Sequence, residues 1–143
     1  MQVFIVDDDP MYRQWLQQLL ESWDFPVRAV GDGTEAIHLA EAGLEADLVL
    51  LDWDLPGADG FEVARCLRSQ DRTAGAYVLM ITGSRNKDDL VRVLVSSADD
   101  YLIKPFDPLD LKIHLRTAMR LRHLQHEVES LRGERATAAA PGR

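Results

Sequence analysis

Asp7-Asp8, Asp52, Thr82 and Lys104 each close a short apolar run: Val3-Phe4-Ile5-Val6, Leu48-Val49-Leu50-Leu51, Tyr77-Val78-Leu79-Met80-Ile81 and Tyr101-Leu102-Ile103. Three carboxylates, a hydroxyl and an ammonium brought to one point suit chemistry on a phosphate. Carboxylates held together raise one another's pKa, and a single lysine offsets only part of their charge. A divalent cation would offset most of the rest. An all-oxygen, carboxylate-rich set without histidine or cysteine favours Mg²⁺ or Mn²⁺ over zinc. Such an ion keeps several waters and commonly holds a substrate phosphate as well. An aspartate, a metal, a hydroxyl and a lysine around one point make a site for phosphoryl transfer to the aspartate, where catalysis needs mainly positioning and charge neutralisation.

These residues are scattered over nearly a hundred residues of sequence, so the fold must bring them together. Apolar runs this short, separated by helical patterns, read as buried parallel strands. The carboxyl ends of the strands of an open parallel sheet share one edge, and ligands bind there. Five strand-then-helix units can be marked. Residues 2–6 form the first strand, and a helix runs from Pro10 to about Trp23 with apolar positions Met11, Trp15, Leu16, Leu19 and Leu20. Asp9 before Pro10 reads as a helix N-cap followed by proline in the first turn. Val27–Val30 is a short second strand, and Gly31-Asp32-Gly33-Thr34 turns into a helix that stops near Gly43. Asp47–Leu51 is the most hydrophobic strand and so the central one. Pro56-Gly57 and Asp59-Gly60 break the chain before a helix over 61–69. Tyr77–Ile81 is followed by a weaker helix over 87–97, and Tyr101–Ile103 by a long helix from Pro108. Alternating strands and helices with short loops predict an α/β fold: a doubly wound five-stranded parallel sheet of the flavodoxin-like (βα)5 kind, order 2-1-3-4-5. Its switch point lies between the strands ending in Asp7-Asp8 and Asp52.

The last helix is longer than that fold requires. Leu111, Leu115 and Ala118 are spaced to face the sheet, while Leu121, Leu124, Val128 and Leu131 step on as an a/d seam. A helix over 108–131 measures about 36 Å, more than the sheet can cover. The chain therefore divides into a domain over 1–120, a helical extension over 121–132 and a linker or disordered tail over 133–143.

Composition removes several function classes. The 143 residues suit one domain, with 46% apolar and 28% charged residues, as in ordinary globular proteins. The net charge of −8 argues against a nucleic-acid or membrane-surface binder. Cys66 has no second cysteine to pair with and lies in a helical pattern, which reads as packing in a reducing compartment. No signal peptide is visible and no apolar stretch approaches the roughly 18 residues of a membrane span. A cytoplasmic protein is expected.

Four motifs carry a resemblance: Val6-Asp7-Asp8-Asp9, the stretch from Leu51 to Gly60, Ile81-Thr82-Gly83-Ser84 and the stretch from Asp99 to Phe106. Present together, in order and at strand ends, they resemble the receiver domains of two-component response regulators over roughly residues 1–120. The resemblance implies that Asp52 is the phosphoacceptor for a sensor histidine kinase or phosphotransfer protein. It also implies that Asp8 ligates Mg²⁺ directly, Asp7 through water, and Asp54 through its backbone carbonyl. Lys104 would pair with a phosphoryl oxygen, with a cis bond to Pro105. Thr82 would move to hydrogen-bond the phosphoryl group and let Tyr101 swing inward, a population shift between two packings. Such a protein is no enzyme beyond its own phosphorylation and dephosphorylation.

Each residue has a plainer reading. Asp7 or Asp8 could be a helix cap, but Asp9 fills that role better. Thr82 and Ser84 could cap the following helix, but the presence of Asp52 and Lys104 favours a phosphate-sensing Thr82; Lys104 could be a solvated lysine, but it stands before Pro105 at a strand end; Tyr101 could be static core, with the switch role only slightly favoured. His123 and His126 read as a solvated helix face, and Trp15 and Trp23 as helix packing. Three departures from the family pattern stand out. Asp54 places an acidic side chain two residues after the acceptor. Ser97 stands where glycine is usual, so a left-handed helix end there would cost stability. Val91, Val93 and Val95 are poor helix formers, which predicts a marginal fourth helix.

The strongest rival is an Asp-nucleophile phosphatase of haloacid-dehalogenase type, whose D-x-D motif Asp52-Trp53-Asp54 imitates. There, however, the D-x-D follows the first strand. A dimerisation module would explain the seam and leave the crevice unexplained. The favoured expectation is a homodimer through the fourth and fifth helices, with Leu90, Val93 and Leu94 in contact, and through the helical extension. It would be part of a longer regulator whose output domain follows, with a stand-alone receiver as the alternative.

Overall fold

The five apolar runs assemble into one sheet. A computed structural model describes residues 1–139, with side chains as far as Gly133. Strands β1 (Val3–Val6), β2 (Val27–Val30), β3 (Leu48–Asp52), β4 (Tyr77–Thr82) and β5 (Asp100–Ile103) alternate with helices α1 (Pro10–Ser22), α2 (Gly33–Glu41), α3 (Gly60–Ser69), α4 (Lys87–Leu94) and α5 (Pro108–Ala139). The order is β2-β1-β3-β4-β5, every pairing is parallel, and the fold is the expected doubly wound, flavodoxin-like one. In register, Val6 lies beside Leu51, Asp52 beside Ile81 and Thr82 beside Ile103. The carboxyl ends of β1, β3, β4 and β5 are therefore level at one edge.

Successive side chains of each strand point to opposite faces, which separates two cores. Phe4, Val6, Val49, Leu51, Val78 and Met80 pack with residues of α2, α3 and α4, among them Ala36, Val63, Leu67 and Val93. Val3, Ile5, Leu48, Leu50, Leu79 and Ile81 pack with Leu16, Leu20, Leu111, Leu115 and Ala118 of α1 and α5. Because both faces of the inner strands are covered, these strands read as unbroken apolar runs.

Side-chain caps set where helices begin. Asp9 accepts from the amides of Met11 and Tyr12, Asp32 from Glu35, Asp59 from Glu62 and Asn86 from Asp88. Each satisfies an amide that the first turn leaves without a partner. Helix α2 stops as expected at Gly43, whose φ of +98° is open to glycine at little cost.

Several expectations need correction. Helix α4 ends at Leu94 rather than at residue 97, with Val95 as an ordinary C-cap at φ −92°. The Ser96 hydroxyl donates to the Val93 carbonyl (2.6 Å) and accepts from the Ala98 amide (3.1 Å), which turns the chain without a left-handed residue. Among the described residues Asp24 alone is a non-glycine with positive φ, so the expected strain at Ser97 does not arise. Instead the Ser97 carbonyl accepts from Arg68 Nε at 3.0 Å. The same guanidinium bonds the carbonyls of Ala74 and Ala76 and the Asp99 carboxylate, tying α3 to both ends of the α4 unit. Val93 is fully buried and cannot serve an interface; Val91, Leu94 and Val95 are the exposed apolar residues of that region. Met11, in the first turn of α1 above the sheet edge, is 82% exposed rather than packed.

Helix α5 continues to Ala139, so the segment read as a tail starts as helix; residues 140–143 lie outside the described residues. Alanine is the best helix former, and Ala136, Ala138 and Ala139 meet no breaker before Pro141. Nor does the helix leave the domain at residue 120. Leu121 packs against the α1–α5 core, Arg122 pairs with Asp47, and Gln125 Nε2 donates to the Gly75 carbonyl at 3.0 Å. The exposed seam is therefore Leu124, Val128 and Leu131, without Leu121.

Candidate functional site

At the carboxyl edge β1 delivers Asp7 and Asp8, and β3 delivers Asp52. One carboxylate oxygen from each of the three lies within 4.8 Å of the others. Asp7 is almost completely buried, whereas Asp8 faces solvent. Asp7 Oδ1 accepts from the Asp9 amide (2.9 Å), and Asp52 Oδ1 from the Asp54 amide (3.0 Å). These bonds fix both carboxylates to the loops that follow their strands. Lys104, at the end of β5, spans them: its Nζ is 2.9 Å from Asp7 Oδ2 and 3.1 Å from Asp52 Oδ2. The Lys104–Pro105 bond is cis, as the resemblance implies.

Burial pushes the Asp52 carboxyl up to about 6, opposed by the Lys104 charge and reinforced by Asp7. Burial also works against the Lys104 ammonium, but its hydrogen bond to Asp7 and the charge of Asp52 outweigh that and raise its pKa. A crowded acidic pocket held by one cation still lacks positive charge. Hard carboxylate oxygens in this arrangement fit Mg²⁺, which Asp7, Asp8 and Asp52 could hold together.

Thr82 ends β4 and is buried, and its Oγ1 accepts from the Ser84 amide at 3.0 Å. Asp52, Trp53, Asp54, Thr82, Gly83 and Ser84 line an open cleft of about 360 Å³ beside the acceptor carboxylate. Asp54 contributes its amide to Asp52 while its side chain is exposed. Tyr101 is half-buried and packs against the core on the α3–α4 side of the sheet. His123 pairs with Glu127 at 3.2 Å on the exposed surface of α5, far in sequence from the pocket, in keeping with a solvated face.

Two features were not foreseen. Tyr12 of α1 lies under the lysine, with Nζ 4.4 Å from its ring centroid. An aromatic residue three places after an N-cap carries no sequence signal for this contact. Trp53, next to the acceptor, meets Phe61 edge-on at 5.4 Å, and Arg92 of α4 stacks over Phe61 (4.8 Å) and Trp53 (5.6 Å). Helix α4 is thus joined to the end of the strand that carries Asp52.

Residues 3–116 match the response regulator receiver domain family. The chain belongs to that family. The receiver is 39% identical over 118 residues to the DNA-binding response regulator MtrA of Mycolicibacterium smegmatis, covering 82% of this chain and 50% of that protein. It is 33% identical over 137 residues to the transcriptional regulatory protein HprR of Escherichia coli, covering 94% of this chain and 59% of that protein. The chain thus spans about half the length of the curated relatives it matches. Among solved structures it is similar to the receiver domain of a sensor histidine kinase from Pseudomonas aeruginosa, determined with a magnesium ion in its active-site cleft. That match has a TM-score of 0.73 at 28% identity, covering 84% of this chain and 95% of that one. The chemotaxis response regulator CheY4 of Vibrio cholerae is similar at a TM-score of 0.75 and 27% identity, over 82% of this chain and 97% of that one.

Family membership replaces the haloacid-dehalogenase reading, since Asp52-Trp53-Asp54 follows the third strand and the acidic pair follows the first. Because MtrA is described as DNA-binding, the expected absence of a nucleic-acid partner gains no support from the relatives. Among the described residues no helix is long and apolar enough to cross a membrane.

Proposed function

We propose that Asp52 of this receiver accepts a phosphoryl group from a histidine kinase or phosphotransfer protein in a Mg²⁺-dependent reaction. The observation that carries this reading is the Lys104 ammonium bridging Asp7 and Asp52 beside a third, solvent-facing carboxylate. An Asp52 oxygen attacks phosphorus, the P–N bond to the donor imidazole breaks, and the imidazole leaves with its electron pair and takes up a proton. Lys104 follows the charge as it moves from the carboxylate to the phosphoryl oxygens. Mg²⁺, or Mn²⁺ in its place, would supply charge neutralisation on those oxygens, held by Asp7, Asp8 and the Asp54 carbonyl. Thr82, on the wall of the cleft, closes on the phosphoryl group, and Tyr101 follows it inward. The Arg92 contact with Trp53 and Phe61 supports α4 as the element that responds.

The signal leaves through α5 towards an output domain, a reading supported by curated relatives of which the match covers only about half. Exposed Leu124, Val128 and Leu131, together with Val91, Leu94 and Val95, supply the surfaces of a homodimer. The test is labelling with Mg²⁺ and acetyl phosphate. Wild type acquires a hydroxylamine-labile phosphate and Asp52→Asn does not. Equal labelling of Asp52→Asn, with a hydroxylamine-stable product, sinks the assignment. Asp8→Ala abolishes metal binding while Asp9→Ala, which loses only a cap, retains it; the reverse result would move the acidic register by one residue.

A further inference from the structure

The Lys104 ammonium has three neighbours that attract it: the Asp7 carboxylate, the Asp52 carboxylate and the face of the Tyr12 ring. A cation within about 6 Å of a ring centroid is held by the ring quadrupole. Both carboxylates change during phosphorylation. Asp52 is converted to an acyl phosphate, and the charge of Asp7 is shared with a bound cation. The Tyr12 face is the neighbour that neither event alters.

The ring is itself well fixed. It meets Trp15 edge-on at 5.3 Å and Phe106 at 5.6 Å, and Trp15 and Phe106 lie 5.8 Å apart. Phe106 stands two residues after Lys104, so the loop that carries the lysine is packed on the same ring that holds its ammonium. Among the described residues the buried Tyr12 hydroxyl finds no partner at full hydrogen-bond geometry, and the Phe106 backbone is its polar neighbour. The face of the ring, and not its hydroxyl, makes the useful contact.

We propose that Tyr12 is a positioning residue of the phosphoacceptor site, its ring face steering the flexible Lys104 side chain onto the transferring phosphoryl group. This deepens the reading of Asp52 as phosphoacceptor and rests on it. Replacing Tyr12 by Leu lowers the rate of phosphorylation by acetyl phosphate at saturating Mg²⁺ about tenfold, between the scales of an exposed and a fully desolvated cation–π contact. Tyr12→Phe restores the rate. In a Lys104→Met background Tyr12→Leu produces no further loss. The same tenfold loss in both backgrounds would make Tyr12 ordinary packing, and a Tyr12→Phe rate as low as that of Tyr12→Leu would assign the effect to the hydroxyl; either overturns the proposal.

Tyr12→Met, a flexible residue that can refill the space, takes the place of Tyr12→Leu if that variant does not fold. A second measurement needs neither metal nor phosphate. In EDTA, unfolding of the Tyr12→Leu and Lys104→Met single and double variants gives effects that fall short of additivity by about threefold or more in the equilibrium constant. Strict additivity overturns the proposal. If wild type fails to label at all, the phosphoacceptor reading fails and Tyr12 loses its role in transfer, while coupling in EDTA still shows whether the ring holds the lysine.

Discussion

A Cβ added to Gly60 would lie 2.6 Å from the carbonyl oxygen of Asp52. The first turn of α3 is thus pressed against the backbone of the acceptor residue, and the Gly60 amide closes the contact by donating to the Trp53 carbonyl at 2.9 Å. The same Cβ would meet Trp53 Cα at 2.8 Å, so backbone, and not a movable side-chain tip, would have to give way. We expect Gly60→Ala to destabilise the domain by about 1–3 kcal/mol, the cost of overpacking a rigid site. Because the displaced atoms belong to the acceptor Asp52 and the residue after it, phosphorylation should slow as well. Chemical denaturation and the rate of labelling by acetyl phosphate check both effects, and unchanged stability would refute the contact.

The raised pKa of Asp52 makes the metal-free protein pH-dependent in a defined sense. Folded, the carboxyl titrates near about 6; its ordinary value is 3.8. The folded state therefore favours the protonated form. Below pH 3.8 the group is protonated in both states and costs nothing. Between 3.8 and about 6 the unfolded chain ionises first and the folded state loses ground; above about 6 the loss is complete. Its size is on the order of 3 kcal/mol at most. In EDTA at pH 7.5 Asp52→Asn should be more stable than wild type, with the difference vanishing near pH 3.5. Mg²⁺ should then stabilise wild type more than the variant, which keeps Asp7 and Asp8 but lacks the third carboxylate. A wild type more stable than Asp52→Asn in EDTA at neutral pH would contradict burial as the dominant cause.

The exposed stripe on α5 gives a prediction about assembly. Leu124 and Leu131 are 49% and 58% exposed, on a helix whose side of Leu121, Arg122 and Gln125 is already held by the domain. Paired substitution Leu124→Glu with Leu131→Glu should leave folding stability within about 0.5 kcal/mol, since exposed positions contribute little. It should abolish self-association measured by sedimentation with beryllofluoride. A variant that associates as wild type does would remove α5 from the interface.

Much was legible from the residues alone. Strand existence, strand order and the gathering of Asp7, Asp8, Asp52 and Lys104 followed from short apolar runs ending in polar residues. Doubly covered parallel sheets impose that pattern, and their topology puts every strand end on one edge. The start of α1 was readable because a cap is a local bond, as at Asp9. What the chain could not reveal locally depended on partners distant in sequence. Val93 and Leu94 are adjacent apolar residues, and only packing against the sheet decides that the first is buried and the second exposed. The end of α4 lies at Leu94 because the Ser96 hydroxyl and the Arg68 guanidinium satisfy the turn that a glycine usually makes in the family. Leu121 belongs to the core rather than to the seam because α5 leans on the base of the sheet through Asp47 and Gly75. The placement of the Tyr12 ring beneath Lys104, across 92 residues of chain, is likewise a product of tertiary packing. Periodicity and capping are written in neighbouring residues; which face of a helix meets which strand, and which ring meets which ammonium, is decided only when the layers close.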